Sequence, residues 1–291
     1  MAKLALDPTP YHATHAFLDF FDVAAKCGYE WIQLTPHADF VPFFSHPRVD
    51  RAYLAQVRSR AASAGVGITS LLPVQRLSWP DEPLRQAAVR NLKRTIQIAV
   101  ELEVPVINTE FSGRPERSEE SEAGFYRSME ELVPILEAEG ITLNIDPHPD
   151  DFVEDGLAAW QIIRGVDSAA IGFVYVASHT FHMGDRAATL IPQLGDRLAA
   201  VYAADSFDHH RSHGLRYITN PPGNAVRVHQ HLRIGDGDVD WAELFGTLKE
   251  SGFLDRDDAI LCSNVFAEDE RADEVSVYQR ERIRELIAAA G

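Results

Sequence analysis

The sequence predicts an α/β fold, a (β/α)8 TIM barrel with a long loop after its seventh strand. Eight short, mostly continuous apolar runs recur along the 291 residues, the pattern of parallel strands buried on both faces. Amphipathic helical stretches separate or follow them, and eight strands with eight helices is the arithmetic of a closed barrel. No Gly-rich phosphate loop follows the first run, which weakens the rival open doubly wound sheet.

The elements follow in order. The first run, Leu4 to Asp7, starts at once. Trp31 to Thr35 is the second and Ile68 to Val74 the third, with Gly65-Val66-Gly67 before it as a helix C-cap. Val89 to Glu103 has apolar residues at helical spacing and leads into the fourth run, Val104 to Phe111. Phe125 to Glu139 repeats that pattern, and Gly140 falls at its cap. Ile141 to Asp146, Ile171 to His179 and Leu198 to Asp205 are the next three runs. From 206 to 240 no clear periodicity is left. A long ordered loop in a compact domain is usually functional, and on the C-terminal face of a barrel this one would form a lid or a pocket wall. Trp241 to Ser251, Gly252, the run Ala259 to Phe266 and Glu274 to Ala290 complete a single domain over 1–291.

Twenty-seven Lys and Arg against 44 Asp and Glu leave a formal charge of −17. Such a surface repels nucleic acid and anionic lipid, but permits a local basic pocket for a small anion. Two cysteines, Cys27 and Cys262, make no disulfide framework and point to a reducing, cytoplasmic setting. No run reaches the ~18 apolar residues of a membrane span, and the start lacks the apolar core of a signal peptide.

Polar residues gather at the ends of the runs. They are Asn108-Thr109-Glu110, Asn144-Ile145-Asp146-Pro147-His148, Ser178-His179 with His182 following, Asp205, His229-Gln230-His231 and Asn264. In a barrel these ends meet at one mouth, where carboxylates and histidines can hold a divalent metal. If 229–231 is extended, both of its imidazoles share a face. An acid at the end of a buried strand is expensive unless paired or metal-bound. Glu110 and Asp146 are therefore either ligands, or helix caps and partners of Arg114. His148 is either a general base or a turn residue bonded locally. Asp150 and Asp151 read as solvated or as loop anchors, and His209, His210 and His213 as a loop group. Phe40, Phe43, Phe44, Trp79, Phe152 and Met183 are core or pocket wall. Arg76, Arg114, Arg211 and Arg216 are candidate anion contacts.

At these residues the chain resembles the xylose-isomerase-like (endonuclease IV-like) barrels, the sugar phosphate isomerases/epimerases, over essentially its whole length. The myo-inositol-catabolism branch is similar in Phe43-Phe44-Ser45-His46-Pro47-Arg48, in 108–116, in Asp146-Pro147-His148-Pro149-Asp150-Asp151-Phe152, in 214–223 and in 229–235. The epimerases of that superfamily hold a metal with Glu, Asp, His and Glu. Those positions fall here on Asp146, Val176, Tyr202 and Asn264, so only one carboxylate is kept. The resemblance to endonuclease IV implies a displaced site instead, drawn from Glu110, Asp146, His179, His229 and His231, for Mn, Zn, Co or Fe. The alternative is a barrel with no metal.

The resemblance implies an isomerase or epimerase that moves a proton α to the carbonyl of a small carbohydrate or cyclitol. Asp146 or His148 would be the catalytic base. Asn264, Arg114, Arg216, Tyr202 and His182 would contact substrate. One base fits 1,2-isomerisation or β-elimination better than two-base epimerisation. Hence the runner-up is a lyase, either an inosose dehydratase or one that eliminates the aglycone from 3-keto-glycosides. The glycoside-cleaving lyase would need a roomy, aromatic-lined pocket. A non-catalytic binding barrel is the third reading, and phosphodiester cleavage fits poorly with the charge. Phe43 and Phe44 hint at a lid or at assembly as a homo-oligomer or with a second subunit.

Overall fold

The structure, a computed structural model, describes residues 1–180, 186–208, 218–219, 228–229, 231–266 and 269–291. Eight parallel strands close into a barrel: β1 (Lys3–Leu6), β2 (Trp31–Leu34), β3 (Gly67–Leu71), β4 (Val106–Glu110), β5 (Thr142–Asp146), β6 (Ile171–Val176), β7 (Leu198–Ala203) and β8 (Ile260–Ser263). Each strand bonds to its neighbours in sequence, and β1 closes on β8 from Lys3 opposite Ile260 to Leu6 opposite Ser263. The main helices are α1 (Phe20–Lys26), α2 (Arg51–Ala64), α3 (Glu82–Leu102), α4 (Ser118–Glu139), α5 (Gly156–Gly165), α6 (Ala187–Leu194), α7 (Trp241–Glu250) and α8 (Ala272–Ala290). None of the described helices is long and apolar enough to cross a membrane.

Local chemistry sets the boundaries. Asp50, Asp81, Asp155 and Asp240 each accept the N–H three residues on, and start α2, α3, α5 and α7. Gly65 and Gly140 end α2 and α4 in the left-handed conformation, as expected from the sequence. Helices α3 and α4 begin earlier than their apolar periodicity predicts, because their first turns are polar.

Four runs were expected to extend two or more residues further than their strands do; β3 stops at Leu71 rather than Val74. β6 stops at Val176, and Ala177–Thr180 turns into a short helix that carries His179. β7 stops at Ala203, and Asp205 makes an isolated bridge to Leu232. β8 stops at Ser263, one residue before Asn264. In each case burial continues past the last ladder pair, so apolar patterning alone cannot mark where the strands part. Within 206–240, an antiparallel pair joins Ile218–Thr219 to Val228–His229. The remainder of 209–230 lies outside the described residues.

The larger apolar core lies between strands and helices, and a smaller one fills the barrel around Ala5, Val174, Ala200 and Ile260. Next to it sits a buried polar layer. Gln33 Oε1 accepts from Ser70 Oγ at 2.9 Å, Asn108 Nδ2 at 3.1 Å and Tyr202 Oη at 2.6 Å. Tyr202, expected to contact substrate, thus spends its hydroxyl on Gln33 and is 3% exposed. Burial pushes its phenol well above the usual range.

Candidate functional site

The C-terminal strand ends bring Glu110, Asp146, His148, His179 and His231 into one continuous chain of contacts. Glu110 ends β4 and Asp146 ends β5, paired in register. His148 Nε2 lies 3.7 Å from Glu110 Oε2, and Ser112 Oγ donates to Glu110 Oε1 at 2.6 Å. The His148 ring meets the His179 ring edge-on, with centroids 4.8 Å apart. His179 in turn faces His231 through their Nε2 atoms, 3.1 Å apart.

The other nitrogen of each imidazole is pinned. His179 Nδ1 meets Asp146 Oδ2 and the Pro147 carbonyl, each at 3.1 Å. His231 Nδ1 meets the Asn264 carbonyl at 2.8 Å, and its ring stacks on Phe266 at 4.3 Å. A backbone carbonyl can only accept, so both Nδ1 atoms carry protons. Burial lowers the His231 pKa to about 4, which keeps that ring neutral near pH 7 and leaves its Nε2 bare. If His179 is also neutral, two lone pairs face one another. An Nδ1–H held by a carboxylate or carbonyl is the usual support of a metal-ligating histidine. A 3.1 Å gap is one that two nitrogens bound to a common ion at about 2.0–2.1 Å can adopt.

The acids point the same way. Burial, together with the charges of Glu110 and Asp151, pushes Asp146 well above the usual carboxylate range. Asp151 rises to about 7 through burial and the charge of Glu110. No lysine or arginine among the described residues forms an ion pair with Glu110, Asp146 or Asp151. The Nε2 atoms of His179 and His231, which face one another, are the donors that could hold a cation here. Asp146 touches His179 on the far nitrogen and so orients that ring. Among the described residues no group of three His, Cys, Asp or Glu converges on one point. The side chain of His229, and all of His182 and Arg216, lie outside the described residues.

Other expected residues have structural partners. Asp205 anchors the chain beyond the loop: it accepts from Ser206 N at 2.9 Å, Gly235 N at 2.8 Å, Val239 N at 3.1 Å and Trp241 Nε1 at 2.8 Å. This holds in place the segment that carries His231. Asn264 holds His231 with its carbonyl, while its Nδ2 donates to Asp7. Asp7, at the end of β1, is buried, and burial raises its pKa. Asp7 was missed, although an acid closing a buried strand is the same signal that singled out Glu110 and Asp146. Asp151 is a buried anchor whose Oδ1 accepts from Gly113 N and Phe152 N at 2.7 Å each. His148 Nδ1 also bonds the Pro149 carbonyl at 2.8 Å, so the turn reading and the site reading coexist.

A pocket of about 300 Å³ opens beside this chain, lined by Glu110, Ser112, His148 and Asp151 together with Phe44, Arg76, Trp79 and Arg114. Arg114 is in an ion pair with Glu116. Phe40 stacks on Phe17 in the core, and Phe152 packs on Phe111.

Residues 21–286 match the xylose isomerase-like TIM barrel family, and the chain belongs to it. No curated protein matches the sequence. Among solved structures, an L-ribulose 3-epimerase is 17% identical with a TM-score of 0.72, over 100% of this chain and 96% of its own. The IOLI protein with a binding zinc atom is 16% identical with a TM-score of 0.73, over 99% of each chain. An AP endonuclease, family 2, from Brucella melitensis is 15% identical with a TM-score of 0.68, over 93% of this chain and 96% of its own. At these identities the likeness establishes the shared fold.

Proposed function

We propose that this protein is a metal-assisted isomerase or epimerase of a small carbohydrate or cyclitol carbonyl, working by proton transfer at the carbon α to the carbonyl. The observation that carries the reading is the pair of imidazoles facing Nε2 to Nε2 at 3.1 Å with both Nδ1 protons fixed. His179 and His231 would hold a divalent metal, with Glu110 or His229 as further candidates. Bound there, the metal would polarise the substrate carbonyl as a Lewis acid and ease removal of the α-proton. Structural neighbours in the family include sugar 3-epimerases, which supports the substrate class.

The proton-moving group is His148. It lines the pocket, its Nε2 faces Glu110, and an imidazole can both accept and donate a proton. Glu110 stabilises the imidazolium formed when His148 takes the proton. Asp146 is a positioning residue, since its carboxylate meets His179 rather than the pocket. The pocket volume of about 300 Å³ is at the small end for ligand sites and suits one sugar ring better than a glycoside with its aglycone.

Deuterium wash-in tests this. The protein, incubated in D2O with Mn, Co or Zn and a panel of ketopentoses, ketohexoses and inososes, should exchange an α-hydrogen of at least one sugar, as read by NMR. Exchange should fall at least 100-fold in His148→Gln and disappear with chelator. Exchange that persists in His148→Gln at the wild-type rate removes His148 from the chemistry. No exchange with any member removes the proton-transfer reading for this panel.

A further inference from the structure

The lining of the pocket also carries a feature that proton transfer does not use. The guanidinium of Arg76 lies over the rings of Phe44 and Trp79, 4.2 and 4.7 Å from their centroids. Arg114 follows over Trp79 at 5.3 Å. The two arginines differ in one respect: Arg114 is neutralised by Glu116, whereas among the described residues no carboxylate pairs with Arg76 and no protein oxygen accepts any of its N–H donors. The aromatic faces hold the cation without satisfying those donors. Partial burial weakens its hydration, and its pKa is lowered accordingly.

Backbone strain gathers at the same place. Among the described residues five non-glycines have positive φ. Glu103 and Asp167 sit where helices end, a common place for the left-handed conformation. The other three, Phe44 at 51°, Ser112 at 54° and Asp150 at 65°, all line this pocket. A phenylalanine there is an outlier, and strain of this kind clusters at ligand sites.

We infer that Arg76 is the anchor for an anionic group, so that the substrate is a sugar derivative bearing a carboxylate or a phosphate ester at the end away from its carbonyl. An open, partly desolvated guanidinium presents its donors as a fork that matches either oxyanion. In a chain of net charge −17, such a cation, unpaired among the described residues, is a local recognition element rather than part of a general basic surface. Within the pocket the anion would sit against Arg76, and the carbonyl end would face His148 and Glu110. This inference names the substrate of the reaction proposed above and rests on that reading for the position of the carbonyl, but its test does not need turnover.

Calorimetric titration at pH 7 with D-fructose, D-fructuronate and D-fructose 6-phosphate compares one ketose head bearing no charge, a carboxylate or a phosphate. The wild type should bind at least one charged ketose tenfold or more tightly than D-fructose, and the tighter of the two identifies the oxyanion. Arg76→Met, which keeps the packing between the rings, should bring that preference below threefold, and Arg76→Lys should restore part of it. Charged and neutral ligands bound within threefold by the wild type, or no binding of any of them, overturns the inference. So does a preference that survives in Arg76→Met, or a loss of thermal stability in that variant with the preference intact, which would make Arg76 only a packing residue. A charged ketose bound through Arg76 without deuterium wash-in supports the inference while refuting the proton-transfer reading.

Discussion

Replacing Asp146 by Asn separates the two roles that this residue can play. Its carboxylate is buried and lies 3.1 Å from His179 Nδ1, on the side of the ring away from His231. If Asp146 orients a ligand, the amide still fills the space but no longer raises the basicity of the imidazole. Changes at such supporting partners weaken metal binding by about 10–100-fold, or about 1.4–2.7 kcal/mol. The assay is a competitive titration with a chromophoric chelator on the folded variant, using zinc and manganese, beside wash-in measured at saturating metal. The expected result is a Kd raised by that factor, with exchange recovered to within about threefold of wild type once metal saturates. An unchanged Kd with exchange abolished would refute the positioning argument and make Asp146 the base.

The remaining predictions concern stability. Asp205→Ala leaves four donors without their acceptor; at about 1–3 kcal/mol each before relaxation, a net loss of at least about 4 kcal/mol is expected in urea unfolding, and a loss under about 1 kcal/mol would contradict the anchoring role. The pKa of Asp151 is raised in the fold to about 7, so the folded state holds its proton more tightly than the unfolded one. Its stabilising effect is complete at acid pH, below the ordinary carboxylate range, and is lost as pH rises through about 7. Asp151→Asn keeps the acceptor for Gly113 and Phe152, so with chelator present its Tm should fall less than that of wild type between pH 5 and pH 8.5; parallel curves would argue against a buried, raised carboxyl.

The barrel was legible because buried parallel strands and amphipathic helices leave different periodicities, and every strand fell within its run or one residue outside it. The strand ends were less legible. Val176 to His179 stays buried through the change from strand to helical turn, so nothing in its polarity marks the break. Glu110, Asp146, His148 and His179 could be gathered from sequence because each stands near the end of a run, and ends converge; His231 joined them as part of the His-Gln-His that closes the loop after the seventh run. Which nitrogen of His179 meets Asp146 depends on a side-chain direction that no spacing encodes. Asp7 followed the same rule and was passed over, and Asp151 read as solvated because Pro-Asp-Asp looks like an exposed turn. The pairing of Arg114 with Glu116, and the lack of a carboxylate beside Arg76 among the described residues, emerge only from the packed loops.

The measurement closest to the central claim is the metal content of the purified, untagged protein, with His179→Ala and His231→Ala alongside. The account predicts close to one equivalent of manganese, zinc, cobalt or iron in the wild type, as isolated or after reconstitution, and its loss in both folded variants. Folded wild type that takes up no metal, or variants that keep it, would contradict the metal site formed by the two facing imidazoles.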